Sequence, residues 1–498
     1  MSSEIDGAAL AVFVFFFLLV TVMGFLASRW RQAASLDHLD EWGLGGRKFG
    51  TWITWFLVGG DFYTAYTVIA VPALVYAVGA YGFFALPYTI IVYPLVFAVM
   101  PLLWKTAKQH GHVTAGDVVR GAYRSRALEL AVSATGVIAT MPYIALQLIG
   151  MEVAIKALGL TGEVPIILAF LVLALYTYSS GLRAPALIAF VKDIMIYVVV
   201  LAAIVIVPSK LGGYGAVFAA ADAAFLERGQ GGILLTANQY LPYASLALGS
   251  ALAAFMYPHT LTGIFASAGV NTIRKNAILL PAYTLLLGLL ALLGYMGHAA
   301  NIEVQSNNDV VPALFKYLFP SWFAGFAFSA IAIGALVPAA VMSIGAANLF
   351  TRNFWKVWVN PDVTAAGEAK VAKITSMLVK VGALLAILFL PTQFALDLQL
   401  LGGLWILQTL PALVFGLYIS WFRAPALLAG WVAGFVGGTL LVWSDGLKPL
   451  HTFSAFDTQI TLYTGLIALV LNVIVSSALN LVLLSKGDAR GASPRGTG

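Results

Sequence analysis

Residues 50–76 read GTWITWFLVGGDFYTAYTVIAVPALVY, and the interpretation of this stretch decides the fold. It is long enough to cross a bilayer, for which ~20 apolar residues rising ~1.5 Å each suffice. Yet Gly59 and Gly60 interrupt it, Pro72 kinks it, and Asp61 places a carboxylate near the midplane. A carboxylate there costs at least ~2.5 kcal/mol, so it needs a partner, water or a proton. Adjacent glycines loosen a helix and expose carbonyls that could coordinate an ion. Asp61 is either a structural carboxylate satisfied inside a packed bundle or part of an ion or substrate site on a discontinuous helix. The second is the expectation.

The surrounding composition supports a membrane setting. Of 498 residues, 61% are hydrophobic and only 10% charged, which makes the chain a polytopic membrane protein with the lipid bilayer as its solvent. The absence of cysteine excludes disulfides, thiolate metal sites and a cysteine nucleophile. The net charge of +6 is spread over short loops, so no nucleic-acid partner is expected. Residues 8–28 follow Glu4 and Asp6 instead of a basic segment, which marks a retained helix and not a cleaved signal.

Hydropathy gives thirteen candidate spans: about 8–28, 50–76, 82–104, 127–155, 164–181, 184–207, 243–268, 277–297, 321–350, 374–390, 396–419, 424–443 and 460–484. With the N-terminus outside, twenty lysines and arginines fall in inner segments and five in outer ones, so the N-terminus is expected outside and the C-terminus in the cytoplasm. The second and seventh spans are both interrupted, the seventh at Gly249, at Tyr257, Pro258 and His259, and at Gly263. Broken helices in corresponding positions of two halves point to an inverted-repeat transporter with a midplane site. The expected architecture is therefore an all-α integral membrane fold of about thirteen transmembrane helices. Residues 1–28 form a peripheral helix, and 29–420 a core of two five-helix repeats (50–207 and 243–419). Two peripheral helices follow over 421–484, then a disordered cytoplasmic tail over 485–498.

The fifth and sixth spans meet at YTYSSGLRAPALIAFVKDIMIY, residues 176–197. This resembles the signature of the sodium:solute symporter family, with Gly181, Leu182, Arg183, Ala184 and Asp193 at matching positions. Met256 to His259, the run Ala-Ala-Val-Met-Ser ending at Ser343, and LPALVFGLYISWF at 410–422 extend the resemblance along most of the chain. Within that family, the 50–104 region looks most like bacterial monocarboxylate permeases. The resemblance implies a leucine-transporter-like fold and a symporter in the inner membrane of a bacterium.

Departures from the pattern bear on coupling. The usual Thr-Asp is Lys192-Asp193, and the usual glutamine is Ile196. Sodium-coupled members carry a hydroxyl pair in the ninth span. One register places Val337 and Pro338 there, and another places Ser343 and Ile344. Lys192 lies eight residues into its span, too deep to assume that it snorkels. Its ammonium could replace a sodium ion, attract an anionic substrate, carry a proton, or pair with Asp61. Adjacent helical residues point ~100° apart, so Lys192 and Asp193 are not expected to satisfy each other. Tyr143, Gln147 and Gln408 are candidates to line the cavity, Lys380 is expected to snorkel, and Glu152 and Lys156 to form a solvated pair.

These readings converge on a secondary active transporter with no cofactor. It would import a small monocarboxylate such as lactate or pyruvate with a coupling cation, the proton favoured over sodium. The rivals are a sodium-coupled carrier of a neutral solute such as proline, a sugar or a vitamin, and, more remotely, a membrane-embedded enzyme. One histidine in a broken span supplies no convergent metal ligands for the last.

Overall fold

The computed structural model describes residues 5–30, 35–60, 64–389, 395–455 and 458–485. Asp61 and the expected tail over 486–498 lie outside them. Helix α1 (Gly7–Leu26) starts where the Asp6 carboxylate accepts the N–H groups of Ala8 and Ala9, and the short α2 (Leu39–Leu44) precedes the first break. The broken span is α3 (Thr51–Gly60), then a π-helical turn over Tyr66–Ala70 and α4 (Val71–Val78), with Pro72 in the first turn of α4. The π turn runs into α4 without interruption, Ala70 and Val71 both being right-handed helical. Pro72 thus stands inside a continuous helical segment, and its missing N–H leaves a carbonyl one turn back without that bond.

Helices α5 (Ala85–His110), α6 (Ala115–Tyr123), α7 (Arg126–Ala157), α8 (Val164–Ser180) and α9 (Arg183–Lys210) complete the first half. The polar interval before the second half folds as a separate helix, α10 (Tyr214–Arg228). The second broken span is α11 (Tyr240–Ala254) and α12 (Pro258–Ala266). It is followed by α13 (Val270–Leu279), α14 (Pro281–Ala291), α15 (Leu293–Ala299) and α16 (Val310–Leu318). Then come α17 (Ser321–Leu349), α18 (Ala365–Phe389), α19 (Ala395–Leu407) and the single turn α20 (Gly416–Tyr418). Helices α21 (Ala424–Ser444) and α22 (Thr464–Ser485) end the described chain.

Every expected span coincides with a helix or a broken set of helices. Among the described residues, eight helices are long and apolar enough to cross a membrane, and nine when the bent pair Asp397–Leu407 and Pro411–Tyr418 counts as one. Helix α17 is the axis of the bundle. Its apolar window is buried on all sides, whereas only 22% of the corresponding windows of α1 and α22 is buried. A helix apolar all round belongs either in a core or against lipid, and burial separates the two cases here.

One feature departs from an all-helical chain. Strands β1 (Leu450–Ala455) and β2 (Thr458–Tyr463) form an antiparallel hairpin between α21 and α22. Tyr463 at its base is fully buried and donates to the Leu400 carbonyl at 2.6 Å, while its N–H meets the Ser245 hydroxyl at 2.9 Å. The hairpin thereby ties α19 to α11.

The C-terminal end of the first broken span is held by a close backbone approach. Ala80 N–H donates to the Gly232 carbonyl at 2.7 Å, and a Cβ on Gly79 would lie 2.0 Å from that same oxygen. Gly79 also has φ +72°, which side chains other than glycine rarely adopt. Gly79→Ala is therefore expected to cost at least ~1–3 kcal/mol from the backbone conformation alone, before the clash is counted. A lowered melting temperature of the detergent-purified variant checks this.

Candidate functional site

Helix α9 begins with an anchored charge: Arg183 donates to the Glu41 carbonyl at 2.6 Å and pairs with the Glu41 carboxylate. Nine residues on, ~14 Å along the axis, Lys192 and Asp193 are fully buried. The Lys192 ammonium donates to the Gly60 carbonyl at 2.8 Å and lies 2.8 Å from Asp193 Oδ1. The Tyr283 hydroxyl of α14 donates to Asp193 Oδ2 at 2.7 Å. The two side chains touch, yet neither satisfies the other alone: Lys192 also needs the Gly60 carbonyl and Asp193 the Tyr283 hydroxyl. The four-carbon stem of Lys192 folds back far enough to bring its nitrogen onto the adjacent carboxylate. Burying two ions costs several kcal/mol each, and that cost is offset only where geometry and further hydrogen bonds are good. Here Oδ2 accepts the Tyr283 hydroxyl, while Oδ1 has the ammonium beside it as an ion-pair partner and no hydrogen bond among the described residues.

The glycine pair takes on a packing role beyond loosening the helix. A Cβ on Gly60 would stand 2.9 Å from Lys192 Nζ, and one on Gly59 would stand 2.3 Å from Tyr283 Cε2. The two glycines are thus the seats of the ammonium and of the tyrosine ring. Trp55 closes the same group, its ring centroid 4.8 Å from that of Tyr283. Tyr283 escaped the sequence reading because it stands alone in an apolar helix; the only trace of it was the small residue it packs on.

Helix α17 runs past this site antiparallel to α9. A Cβ on Gly334 would lie 3.3 Å from Ile196 Cδ1. One turn further on α17, and one turn back on α9, Val337 and Pro338 come level with Lys192 and Asp193. Ser343 is nine residues beyond Gly334, half a turn round the helix, and turns away. Its hydroxyl donates to the Ala340 carbonyl at 2.8 Å and accepts from Ser376 of α18 at 3.1 Å. Ser343 thus engages α18 and does not face the Lys192–Asp193 pair. Lys380 donates to Ser376 at 2.9 Å and is fully buried, so it does not snorkel.

The second break lies on a neighbouring helix: α12 packs against α3, and its Ala266 carbonyl accepts the Phe49 N–H just before α3 at 3.1 Å. Tyr257 has extended backbone (φ −61°, ψ 141°), so α12 starts afresh at Pro258 with its N–H groups facing the gap. Thr260 donates back across the break to the Ala254 carbonyl at 3.0 Å. The rings of Tyr143, Tyr257 and His259 form a triangle with centroids 5.2–5.4 Å apart. His259 is 2% exposed, and its Nδ1 has no hydrogen-bond partner among the described residues. One turn above Tyr143 on α7, Gln147 accepts the Ala65 N–H at 3.1 Å. Thus α7 touches both breaks, through an aromatic contact to one and a hydrogen bond to the other. Gln408 does not join them. It binds the Gly465 carbonyl and Asn472, tying α19 to α22.

A narrow cavity runs from Pro258 past Gly136, Thr262, Asn348 and Thr409 to Thr114, at the basic end of the bundle. About 10 Å³ of it is open to the centre of a water-sized sphere, room for one water and not for an organic solute. Beside Thr114 lies the buried Asn353. It accepts from Thr114 at 2.6 Å and donates to Asp117 and Glu129 at 2.9 Å each. Among the described residues no group of three or more His, Cys, Asp or Glu side chains could hold a metal. Glu152 and Lys156 form the expected half-exposed pair at the other end of α7.

Two interrupted helices packed against each other inside a helical bundle, with a buried charge pair at one break, define a secondary transporter. Residues 42–434 match the model of the sodium:solute symporter family, and the chain belongs to that family. It is 75% identical over 490 residues to a monocarboxylate transport permease protein of Rhizobium johnstonii, covering 98% of this chain and all of the relative. An uncharacterized symporter of Bacillus subtilis, YodF, is 32% identical, with 95% of this chain and 93% of the relative covered. A solved structure of a substrate-bound, outward-open Na+-coupled sialic acid symporter has the same fold. Its TM-score is 0.78 at 14% identity, over 96% of this chain and 98% of that one. The chain is a multi-pass symporter and not an enzyme.

The two buried lysines are expected to respond differently to removal of charge. Lys192→Met leaves Asp193 without its cation and should destabilise the protein by about 3–5 kcal/mol. Lys380→Met strands no carboxylate among the described residues and should leave the melting temperature at or above that of the parent. Thermal unfolding of the two purified variants beside the parent provides the comparison.

Proposed function

We propose that this symporter imports a small monocarboxylate such as lactate or pyruvate across a bacterial inner membrane, driven by the proton gradient. The observation that carries the coupling reading is the Lys192 ammonium 2.8 Å from the Gly60 carbonyl. A carbonyl freed at a helix break is an oxygen ligand of the kind a hard cation needs. Here it is already bonded to a cation that belongs to the chain. A sodium ion ~4 Å from that ammonium would be repelled by ~4 kcal/mol at an effective dielectric near 20, on the order of a thousandfold in affinity. Val337 and Pro338, level with the pair, offer no hydroxyl to compensate. Lys192 and Asp193 can instead gain or lose a proton while keeping their places, and Asp61 is assigned to the same exchange.

The substrate is assigned to the second break. The start of α12 presents backbone N–H groups to an anion, His259 brings an unpartnered ring nitrogen, and Tyr143 and Tyr257 wall the space. The name of the 75% identical relative supports the same substrate class. Transport would proceed as the bundle of α3, α4, α11 and α12 rocks against α7, α8, α17 and α18, with the N-terminus outside and the basic end in the cytoplasm.

Uptake of labelled lactate into proteoliposomes, with sodium and proton gradients imposed separately, tests the proposal. Accumulation is expected to follow an inward proton gradient with choline replacing sodium, and to collapse with a protonophore. Uptake restored only by millimolar sodium would refute proton coupling and favour the sodium-coupled rival. Accumulation of proline or glucose but of no short-chain acid would refute the substrate class. Asp61→Asn is expected to abolish accumulation against a gradient, measured in the same vesicles.

A further inference from the structure

We propose that Tyr283 is the positioning residue through which the charged pair on α9 controls the movement of the first broken helix. It rests on the reading above that this pair is the coupling centre, and it is independent of which cation drives transport. Tyr283 makes two contacts of different kind at once. Its hydroxyl donates to Asp193 Oδ2 at 2.7 Å, a charge-assisted bond to α9. Its ring lies on Gly59 so closely that a single added methyl would sit 2.3 Å from Cε2 and 2.5 Å from Cζ.

The ring therefore blocks movement of the end of α3 toward α14, and it also packs on Trp55 of α3, with ring centroids 4.8 Å apart. Its position over Asp193 is in turn set by the carboxylate. When Asp193 takes up a proton, the acceptor loses its charge and the bond to Tyr283 weakens; when Lys192 leaves Oδ1, the unshielded carboxylate draws the hydroxyl more strongly. A change at α9 is thus passed to the broken helix by a rigid aromatic side chain with only two rotatable bonds. The direct Lys192 contact to Gly60 runs in parallel, so α9 grips the break at both glycines.

The test uses the full chain in proteoliposomes and two readouts. One is accumulation of the labelled acid under whichever gradient drives the parent, and the other is counterflow with no gradient imposed. Tyr283→Phe is expected to lower the ratio of accumulation to counterflow by about tenfold or more, the scale of a hydrogen bond to a charged group. Tyr93→Phe is the control. It also removes a buried phenolic hydroxyl bonded to α14, at Thr284 and 2.7 Å, and should leave the ratio as it is. Asp193→Asn should lower the same ratio, and adding Tyr283→Phe to it should lower the ratio no further. Equal loss of both readouts in Tyr283→Phe, an equal effect of Tyr93→Phe, or an additive loss in the double variant would overturn the assignment. Should Tyr283→Phe fail to insert, Asp193→Asn alone decides, since a ratio equal to the parent's also overturns it. If the parent follows sodium, proton coupling fails while the Tyr283 assignment is tested unchanged under the sodium gradient.

Discussion

An ammonium held between a backbone carbonyl and a carboxylate, with no water-facing surface, is the constraint on which the rest of this structure depends. Lys192 and Asp193 are fully buried. An ion pair at such depth persists only where nearly every lone pair and proton finds a partner. Gly60 supplies its carbonyl, Tyr283 its hydroxyl, and Lys192 its own charge to the neighbouring oxygen. Each requirement reaches outward. Gly60 and Gly59 must be glycine, Trp55 must pack on Tyr283, and Arg183 must fix the start of α9 against Glu41 so that the pair arrives at the right depth.

The two breaks are constructed differently, which bears on how they divide the work. The first is crowded with charge: an ion pair, a phenol and two glycines fill the space around the end of α3. The second carries no formal charge among its described residues, only aromatic rings, an imidazole and the open first turn of α12. A site for an organic anion benefits from N–H donors and shaped walls, and a site that exchanges a cation needs titratable oxygens or amines. Gln147 and Tyr143, one turn apart on α7, put the two breaks in mechanical contact.

Around these breaks the polar groups of the bundle are paired off in ways that tie neighbouring helices together. Lys380, Ser376 and Ser343 donate in sequence to the Ala340 carbonyl and staple α18 to α17. Asn353 gathers Thr114, Asp117 and Glu129 at the basic end of the bundle. Gln408 and Asn472 fasten the last helix to α19. Polar residues inside a membrane bundle are as often glue as function, and only their partners tell the two apart.

What the sequence determined by itself was whatever depends on local composition and order. Thirteen apolar stretches, basic residues gathered on one side, and interruptions at Gly59–Gly60 and Tyr257–Pro258 are properties of short windows, because hydrophobic thickness and helix breaking act residue by residue. The family signature around Gly181 to Asp193 was legible for the same reason. The tertiary structure decided every pairing across helices. Only packing could show that Lys192 folds back onto Asp193, that Ser343 turns its hydroxyl to α18, that Lys380 stays inside, and that Tyr283 sits on Gly59. Each depends on the rotation of one helix against another. A helix apolar on all sides, as α17 is, carries no periodic stripe from which that rotation can be read.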